Sequence, residues 1–462
     1  MRTSGIGLLA AVTVALSCGG RTAAPRDQWK VYLATDAPVP QLGQEVLVEL
    51  LDSSGNPIAG ESRLLDGSSS DLWPISFGIV PDAGASPPRM RARFYRLDET
   101  GSDGTPAGTM MIDATATLPP ASGGVTETAL TLAMACFGVA ADVMNQQTCN
   151  PATGQLDAEP TLPAGVDPSS LLQVGSWGPA ASVPCSGQPP DGMVCAPGGA
   201  FILGSTQYFP AGADPVPEHL VQLGAFAIDA NEVTVGAVRP LVQAGKLTMP
   251  GVGDPAGFTP PECMYLGNTE SKNDGYPVNC VSWSTANQAC ALLGKRLPTE
   301  AEWEYVAGGL GAKLPYPWGA DPNICHYAVV ASGRALIATP EPTECLVPPA
   351  APGPVPVASV SLDIVASGVP SIGGQVLNLA GNVDEWVADV FDQYSGPCWQ
   401  TGATLLVNPL CTASVAGTSP AVHSIRGGSW QLQALSASVH FRDASSADSP
   451  AVATGFRCAI SM

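Results

Sequence analysis

The second half of the chain carries four short segments that restrict its fold more than any other feature. They are GKRLPTEAEWEY (294–305), NLAGNVDEW (378–386), RGGSW (426–430) and GFRC (455–458). An opening segment at 192–199 and a further one at 226–234 precede them. No single segment defines a fold, but their order and separation together form a specific pattern.

The GKRLPTEAEWEY segment is predicted to start a helix. Pro298 fixes the entry, Thr299 is a natural N-cap, and Glu302 three residues later completes a capping box. Glu300 suits the positive end of the helix dipole, and aromatic residues then bury one face. Acid–base or metal-binding roles for Glu300, Glu302 and Glu304 are the alternative. A second helix is predicted over 283–293, beginning near Ser284 or Thr285.

The NLAGNVDEW segment offers carboxamide, carboxylate and main-chain oxygens along a tight, glycine-containing turn. Hard cations such as Ca²⁺ take six to eight oxygen ligands of these kinds. The competing interpretation is that Asn378 and Glu385 only tie the loop together through hydrogen bonds. In RGGSW, paired glycines indicate a close backbone approach where a Cβ would clash.

Together the segments resemble the formylglycine-generating enzyme family, also called the sulfatase-modifying-factor domain, over 191–462. The resemblance implies an α+β, loop-rich fold with a C-type-lectin-like core. It also implies a structural calcium held by the side chains of Asn378 and Glu385 and the carbonyls of Gly381 and Val383. A second family calcium would use Asn323 and Ile324, but its remaining carboxylate has no assignable position.

Catalytic members of that family carry two copper-binding cysteines shortly after the GGS(W/Y) segment. Here Ser429 to Arg457 contains no cysteine. Cu(I) needs thiolate or thioether donors, so we expect no copper and no formylglycine formation by the copper route. His440 is predicted as a partly buried or surface residue rather than a ligand, and Arg442 is a candidate for the groove.

The chain contains 13 cysteines, and removal of Cys18 would leave an even number, as expected for disulfides in an exported protein. The family resemblance implies a Cys290–Cys458 bond. No CxxC occurs, which argues against zinc. The other cysteines form near-neighbour couples: Cys136 with Cys149, Cys185 with Cys195, Cys263 with Cys280, Cys325 with Cys345, and Cys398 with Cys411.

The N-terminus reads as a secretory signal: Arg2 precedes a short apolar run that ends in Ser17-Cys18-Gly19. This site resembles a bacterial lipoprotein processing site, with Cys18 as the lipidated residue. An ordinary signal peptide containing a cysteine is the alternative. We expect a signal over 1–18, a tether over 19–28, and a lipid anchor in the cell envelope, at the outer membrane.

Residues 29–135 are predicted to form a small all-β immunoglobulin-like sandwich, because strand-like runs alternate with turn signals. Arg89, Arg91, Arg93 and Arg96 would form either one solvated face of a strand or a recognition patch. Residues 136–190 are rich in Pro, Ala, Gly and Ser and are predicted to be a disulfide-tied linker.

The formal net charge of −21 argues against nucleic acid as a partner. The favoured function is a non-catalytic envelope protein whose calcium-stiffened domain binds a protein, peptide or glycan. The alternative is an oxidoreductase or protein-modifying enzyme of the same superfamily that uses unidentified residues. A structural surface module without a small ligand is a third possibility.

Overall fold

The computed structural model describes residues 27–80, 87–121, 123–207, 215–249, 262–330, 353–357, 359, 362–365, 374–402, 404–412 and 421–462. Residues 1–26, which contain the predicted signal, Cys18 and most of the tether, lie outside these ranges. No helix within them is long and apolar enough to cross a membrane.

The N-terminal unit is all β. Its strands form a three-stranded sheet, in the order β4-β1-β7, and a four-stranded sheet, in the order β3-β2-β5-β6. β1 runs parallel to β7, whereas the other neighbours are antiparallel. The strands are β1 Gln28–Thr35, β2 Glu45–Leu51, β3 Pro57–Asp66, β4 Ile75–Ile79, β5 Arg89–Tyr95, β6 Ile112–Thr117 and β7 Val125–Leu132.

One hydrophobic core joins these two sheets. In β5 the apolar side chains of Met90, Ala92 and Phe94 alternate with the arginines and are fully buried. This period of two is what a strand with one core-facing side requires. Trp29 and Val31 of β1 belong to the same core, so the two sheets stabilise one another. The immunoglobulin-like relationship stays a prediction.

The arginines of β5 form neither a solvated face nor an open patch. Arg89 pairs with Glu159 and Arg91 with Asp113, both at 2.7 Å. The other two arginines are likewise paired with carboxylates and largely buried. The sequence pattern correctly places Arg89, Arg91 and Arg93 on one face, and their acidic partners come from distant positions. Arg96 follows the strand and also pairs with the nearby Asp98 and Glu99.

Part of the predicted linker is packed structure. A hairpin of β8 Gln147–Asn150 and β9 Gln155–Ala158 follows the first unit. Cys149 and Leu162 join the core of the β unit, and the Thr148 hydroxyl accepts a hydrogen bond from Thr115 N at 2.9 Å. The chain from 136 to about 162 therefore extends the N-terminal unit.

The C-terminal half combines short strands, few helices and long loops. Its sheets have the orders β10-β13-β19, β11-β12-β15 and β17-β16-β14-β18. The strands are β10 Met193–Ala196, β11 Gly199–Leu203, β12 His219–Leu223, β13 Phe226–Asp229, β14 Asp384–Val390, β15 Leu406–Val407, β16 Val422–Arg426, β17 Arg442–Ser446, β18 Thr454–Gly455 and β19 Ala459–Ser461. The helices are α1 Val235–Gln243, α2 Trp283–Leu292, α3 Glu300–Ala307 and α4 Ile324–Tyr327.

The α3 start has the predicted capping box. The Thr299 hydroxyl accepts from Glu302 N at 3.1 Å, and the Glu302 carboxylate accepts from Thr299 N at 2.8 Å. α2 begins at Trp283, as predicted, but its N-cap is Ser282, whose hydroxyl accepts from Thr285 N. A serine N-cap satisfies an amide that would otherwise lack an acceptor.

Disulfides fasten the loops of this half. Cys290–Cys458, with a Cα–Cα distance of 5.7 Å, joins α2 to the segment before β19. Cys325 is also disulfide-bonded, whereas Cys345 lies outside the described residues. Cys185–Cys195, Cys263–Cys280 and Cys398–Cys411 are formed as predicted, and Cys136–Cys149 is formed in the N-terminal unit.

A buried ion cluster joins the two halves of the chain. Glu218 of the C-terminal half has a fully buried carboxylate that pairs with both Arg96 and Lys313. Lys313 also reaches Asp98 of the N-terminal unit at 2.8 Å. Leu220 of β12 extends the N-terminal core, so apolar packing and ion pairing act at the same junction.

The Cys290–Cys458 bond closes a loop of 168 residues, against 10 for Cys185–Cys195. Replacement of Cys290 and Cys458 by alanine should lower the free energy of unfolding by about 5 kcal/mol on the chain-entropy estimate. The matched removal of Cys185–Cys195 should cost about 3 kcal/mol. Urea unfolding under oxidising conditions measures both, and a larger loss for the short loop would contradict the loop-length argument.

Candidate metal centre

The NLAGNVDEW segment folds into a buried turn that leads into β14. Asn378 and Asn382 have φ values of 56° and 62°, and Gly381 has 147°. Asparagine and glycine tolerate positive φ better than other residues. A Cβ at Gly381 would lie 2.8 Å from the Val329 carbonyl oxygen. The turn therefore needs this glycine, and it places the predicted calcium residues together in the interior.

Glu385 is held by the arginine of the GFRC segment. Arg457 Nε donates to both carboxylate oxygens, at 2.9 and 2.7 Å, and Nη2 donates to Oε1 at 2.7 Å. Trp303 Nε1 donates to Oε2 at 2.9 Å. The same guanidinium reaches the Asn378 carbonyl at 3.1 Å. The hydrogen-bonding role that the sequence left open for Glu385 is therefore present.

Glu232 lies between the two asparagines of the turn. Asn378 Nδ2 donates to Glu232 Oε2 at 2.7 Å, and Asn382 Nδ2 donates to Oε1 at 2.9 Å. Asn378 Nδ2 also reaches the Val357 carbonyl at 3.0 Å. Within the described residues, the buried Oδ1 of Asn378 has no hydrogen-bond partner. One oxygen of the predicted calcium set is thus available in the interior.

Asp363 covers the same turn. Its Oδ2 accepts from Ala380 N at 2.9 Å, and its carbonyl accepts from Asn378 N at 3.0 Å. Its Oδ1 is buried and lacks a partner in the part of the chain that the structure describes. Asp363 therefore brings a second carboxylate beside the turn.

These carboxylates lie in an environment short of positive charge. Burial raises the pKa of Glu232 to about 8, with Arg457 only partly offsetting it. Burial likewise raises the pKa of Asp363 to about 7, with the Ala380 amide and Arg457 opposing the rise. The oxygen donors and the excess of carboxylates both suit a hard cation.

Sequence reasoning found the turn but missed Glu232 and Asp363. Glu232 lies 146 residues before Asn378, and no spacing rule connects the two. The available signal was its position in the 226–234 segment. Asp363 stands in a stretch without any recognised motif, so the sequence offers no indication of its role.

The second predicted calcium position lies at the surface. Asn323 is exposed at the start of α4, and its N–H donates to Asp321 Oδ1 at 2.9 Å. Ile324 is buried. The stretch that follows, 331–352, lies outside the described residues.

A further grouping of possible ligands occurs within the described ranges. It consists of Asp392, Cys398 and Cys411. The two cysteines are bonded to each other, so they offer no thiolate to a metal.

The loop after RGGSW is closely packed and contains no thiolate. A Cβ at Gly428 would lie 2.6 Å from the Ser436 carbonyl oxygen. Ala434 and Ala437 are buried against Tyr316 and Ile324. All eleven cysteines within the described ranges are disulfide-bonded. The residues here therefore do not fit Cu(I), which requires soft sulfur donors.

A second buried ion cluster connects α3 to this loop. Arg426 donates to Glu300 Oε1 at 3.0 Å and to Glu304. Arg442 donates to both oxygens of Glu300, at 2.6 and 2.9 Å. His440 Nδ1 lies 3.2 Å from Glu304 Oε1. His440 is thus fully buried, more so than predicted, because it packs beneath the loop against a carboxylate.

The ion pairs favour the charged form of these glutamates. Burial alone would raise the pKa of Glu304, but Arg426 and His440 outweigh it and hold the pKa at about 2. Burial also opposes ionisation of Glu300, and Arg442 with Arg426 lowers its pKa nonetheless. Glu300 and Glu304 are therefore buried ions paired with arginine, and the purely structural role that the sequence favours for them stays a prediction.

Comparison with known families gives a match over residues 180–462 to the "Sulfatase-modifying factor enzyme 1-like domain". The chain belongs to this family. The matching region begins shortly before β10, so the sulfatase-modifying factor domain includes all four sequence segments and the ion cluster around Arg426.

Several relatives are similar to this domain. A formylglycine-generating enzyme of Streptomyces coelicolor is 30% identical over 305 residues, covering 58% of this chain and 88% of the relative. An "Inactive C-alpha-formylglycine-generating enzyme 2" of Mus musculus is 32% identical over 158 residues, covering 28% and 50%. The solved structure of PvdO from Pseudomonas aeruginosa is 22% identical with a TM-score of 0.40, covering 58% and 94%.

In the sulfatase-modifying factor domain, Glu304→Gln should lower stability at neutral pH by about 3 kcal/mol, because the depressed pKa is stabilisation of the ionised form. That stabilisation is complete above the ordinary pKa of about 4.5 and is lost as the pH falls towards 2. Urea unfolding between pH 7 and pH 3 should therefore show a steeper loss for the wild type. The exposed Glu270→Gln is the matched control, and parallel curves for wild type and Glu304→Gln would contradict the assignment.

Proposed function

We propose that this chain is a non-catalytic member of the family that binds a protein, peptide or glycan in the cell envelope on a calcium-stiffened domain. The observation that carries this proposal is the loop after RGGSW. It provides no thiolate, and its small side chains are packed into the domain. A copper-dependent oxidation of a substrate cysteine has no metal ligands to support it there.

The surface beside that loop is suited to binding. The rings of Tyr316 and Trp318 stack at 5.1 Å between centroids, and those of Trp318 and Tyr327 at 4.8 Å. Leu435, in the adjoining loop, is 44% exposed. Aromatic and aliphatic side chains on a rigid support are typical of recognition surfaces. Tyr316 is buried beneath the other two rings, so we name Trp318, Tyr327 and Leu435 the aromatic face and propose that the ligand binds there.

Calcium would stiffen the frame rather than take part in chemistry. The carbonyls of Gly381 and Val383 and the side chains of Asn378 and Glu385 would hold it, consistent with the unpartnered Asn378 Oδ1. The proposal keeps the lipid anchor at Cys18, which would attach the chain to the outer membrane. The second cation position at Asn323 and Ile324 stays part of the proposal only through the family resemblance.

Elemental analysis of the full chain, purified from an oxidising compartment and dialysed without chelator, tests the metal content. We expect near-stoichiometric calcium and neither copper nor iron. Stoichiometric copper or iron would contradict the proposal and favour the oxidoreductase alternative.

The chain should not convert cysteine to formylglycine. Incubation with Cu(I), oxygen and a cysteine peptide that the Streptomyces coelicolor relative converts should give no loss of thiol and no aldehyde by mass spectrometry. The relative itself is the positive control. Conversion above the background of the peptide with Cu(I) alone would overturn the non-catalytic assignment.

Glu385→Ala should lower bound calcium. Its melting temperature should also fall in chelator, because Arg457 would be left buried without its carboxylate. Calcium content is therefore the decisive readout, and a variant that melts earlier yet binds calcium normally would show that Glu385 is only a hydrogen-bonding residue.

Trp318→Ala should weaken, by about tenfold or more, any peptide or glycan that the wild type captures from an array. Trp177, a half-buried tryptophan remote from the aromatic face in the sequence, provides the matched Trp177→Ala control. Equal binding by the two variants would place the ligand elsewhere.

A further inference from the structure

We propose that Asp363 is a carboxylate ligand of the cation bound at the NLAGNVDEW turn, and that Glu232 positions Asn378 for it. This inference rests on the proposed calcium site and adds two residues that the family motif does not name. It follows from the arrangement of acceptors around the turn.

The orientation of the Asn378 amide is fixed by what surrounds it. Glu232 Oε2 and the Val357 carbonyl both accept from Nδ2, at 2.7 and 3.0 Å. Because a carboxylate and a carbonyl accept hydrogen bonds, the NH₂ group must face them. Oδ1 is thereby turned to the other side, where no donor meets it among the described residues. Glu232 thus acts through Asn378 and is a positioning residue.

Asp363 presents a second such oxygen. Its Oδ2 accepts a hydrogen bond from Ala380 N at 2.9 Å, and its main-chain oxygen accepts one from Asn378 N at 3.0 Å. These two bonds tie the residue to both ends of the 378–380 turn. Oδ1 remains buried without a donor in the described part of the chain. An unpaired buried oxygen is costly, and coordination to a cation at the turn would satisfy it.

The charges point to a divalent ion. Glu232, Asp363 and Glu385 are each at most 2% exposed. Arg457 forms a salt bridge with Glu385 and interacts electrostatically with Glu232 and Asp363. With all three carboxylates ionised, as cation binding would require, one guanidinium leaves two negative charges, and buried charges need compensation. A calcium ion supplies the balance and accepts the oxygen donors present.

Calcium titration of the full chain tests the inference, with Ca²⁺ alone as the probe after removal of endogenous metal. Asp363→Asn keeps the size of the side chain but removes its charge, and should weaken calcium binding by about tenfold or more. Glu232→Gln should also weaken it, because its amide can donate to Asn378 Oδ1. Asp392→Asn, a buried aspartate outside this cluster, should bind as the wild type does.

The outcomes separate the inference from the proposed function. Wild-type affinity in Asp363→Asn, together with loss in Glu385→Ala, would overturn the role of Asp363 and leave the calcium site standing. No binding by the wild type would overturn both. If Asp363→Asn does not fold, a crystal structure of the wild type with calcium decides, since Asp363 Oδ1 should lie about 2.3–2.6 Å from the ion.

Discussion

The ion pair between Arg457 and Glu385 is the interaction on which the C-terminal domain depends. Both side chains are buried, and the pair is completed by Trp303 and by main-chain carbonyls of the 378 turn. Three of the sequence segments, GFRC, NLAGNVDEW and GKRLPTEAEWEY, thus meet at this ion pair. Removing either charge would leave the other stranded in the interior, which is far costlier than replacing both. The convergence of the loops at this point neutralises both buried groups.

The second ion cluster also pairs buried charges from different segments, and it involves the remaining segment, RGGSW. Arg426 of RGGSW reaches Glu300 and Glu304 of α3, so each segment supplies a charge that another segment neutralises. This reciprocity explains why the segments carry information as a set. In a domain with short strands, small helices and long loops, buried ion pairs and disulfides provide constraints that a larger regular core would otherwise provide. These ion pairs and disulfides support the closely packed loop after RGGSW, which lacks sulfur ligands.

The sequence predicts contacts between residues close together in the chain, but not contacts between residues far apart in it. The capping box of α3 follows from Thr299 and Glu302 alone, because its atoms lie within one turn. The near-neighbour disulfides follow from spacing, and the Cys290–Cys458 bond from family resemblance. The partners of the β5 arginines, the burial of His440 and the approach of Glu232 and Asp363 to Asn378 depend on tertiary contacts. Sequence periodicity places a residue on one face of its helix or strand. It does not reveal which carboxylate elsewhere in the chain pairs with that residue.

The parallel pairing of β1 with β7 has a mechanical consequence. The two strands are aligned over eight residue pairs, from Gln28–Val125 to Thr35–Leu132. The chain enters β1 at one end of this ladder and leaves β7 towards the C-terminal domain at the other. Tension between the N-terminus and that domain would therefore slide the strands along each other, loading their hydrogen bonds together rather than one after another. The N-terminal unit is thus arranged to resist shear when its first strand and the C-terminal domain are pulled apart.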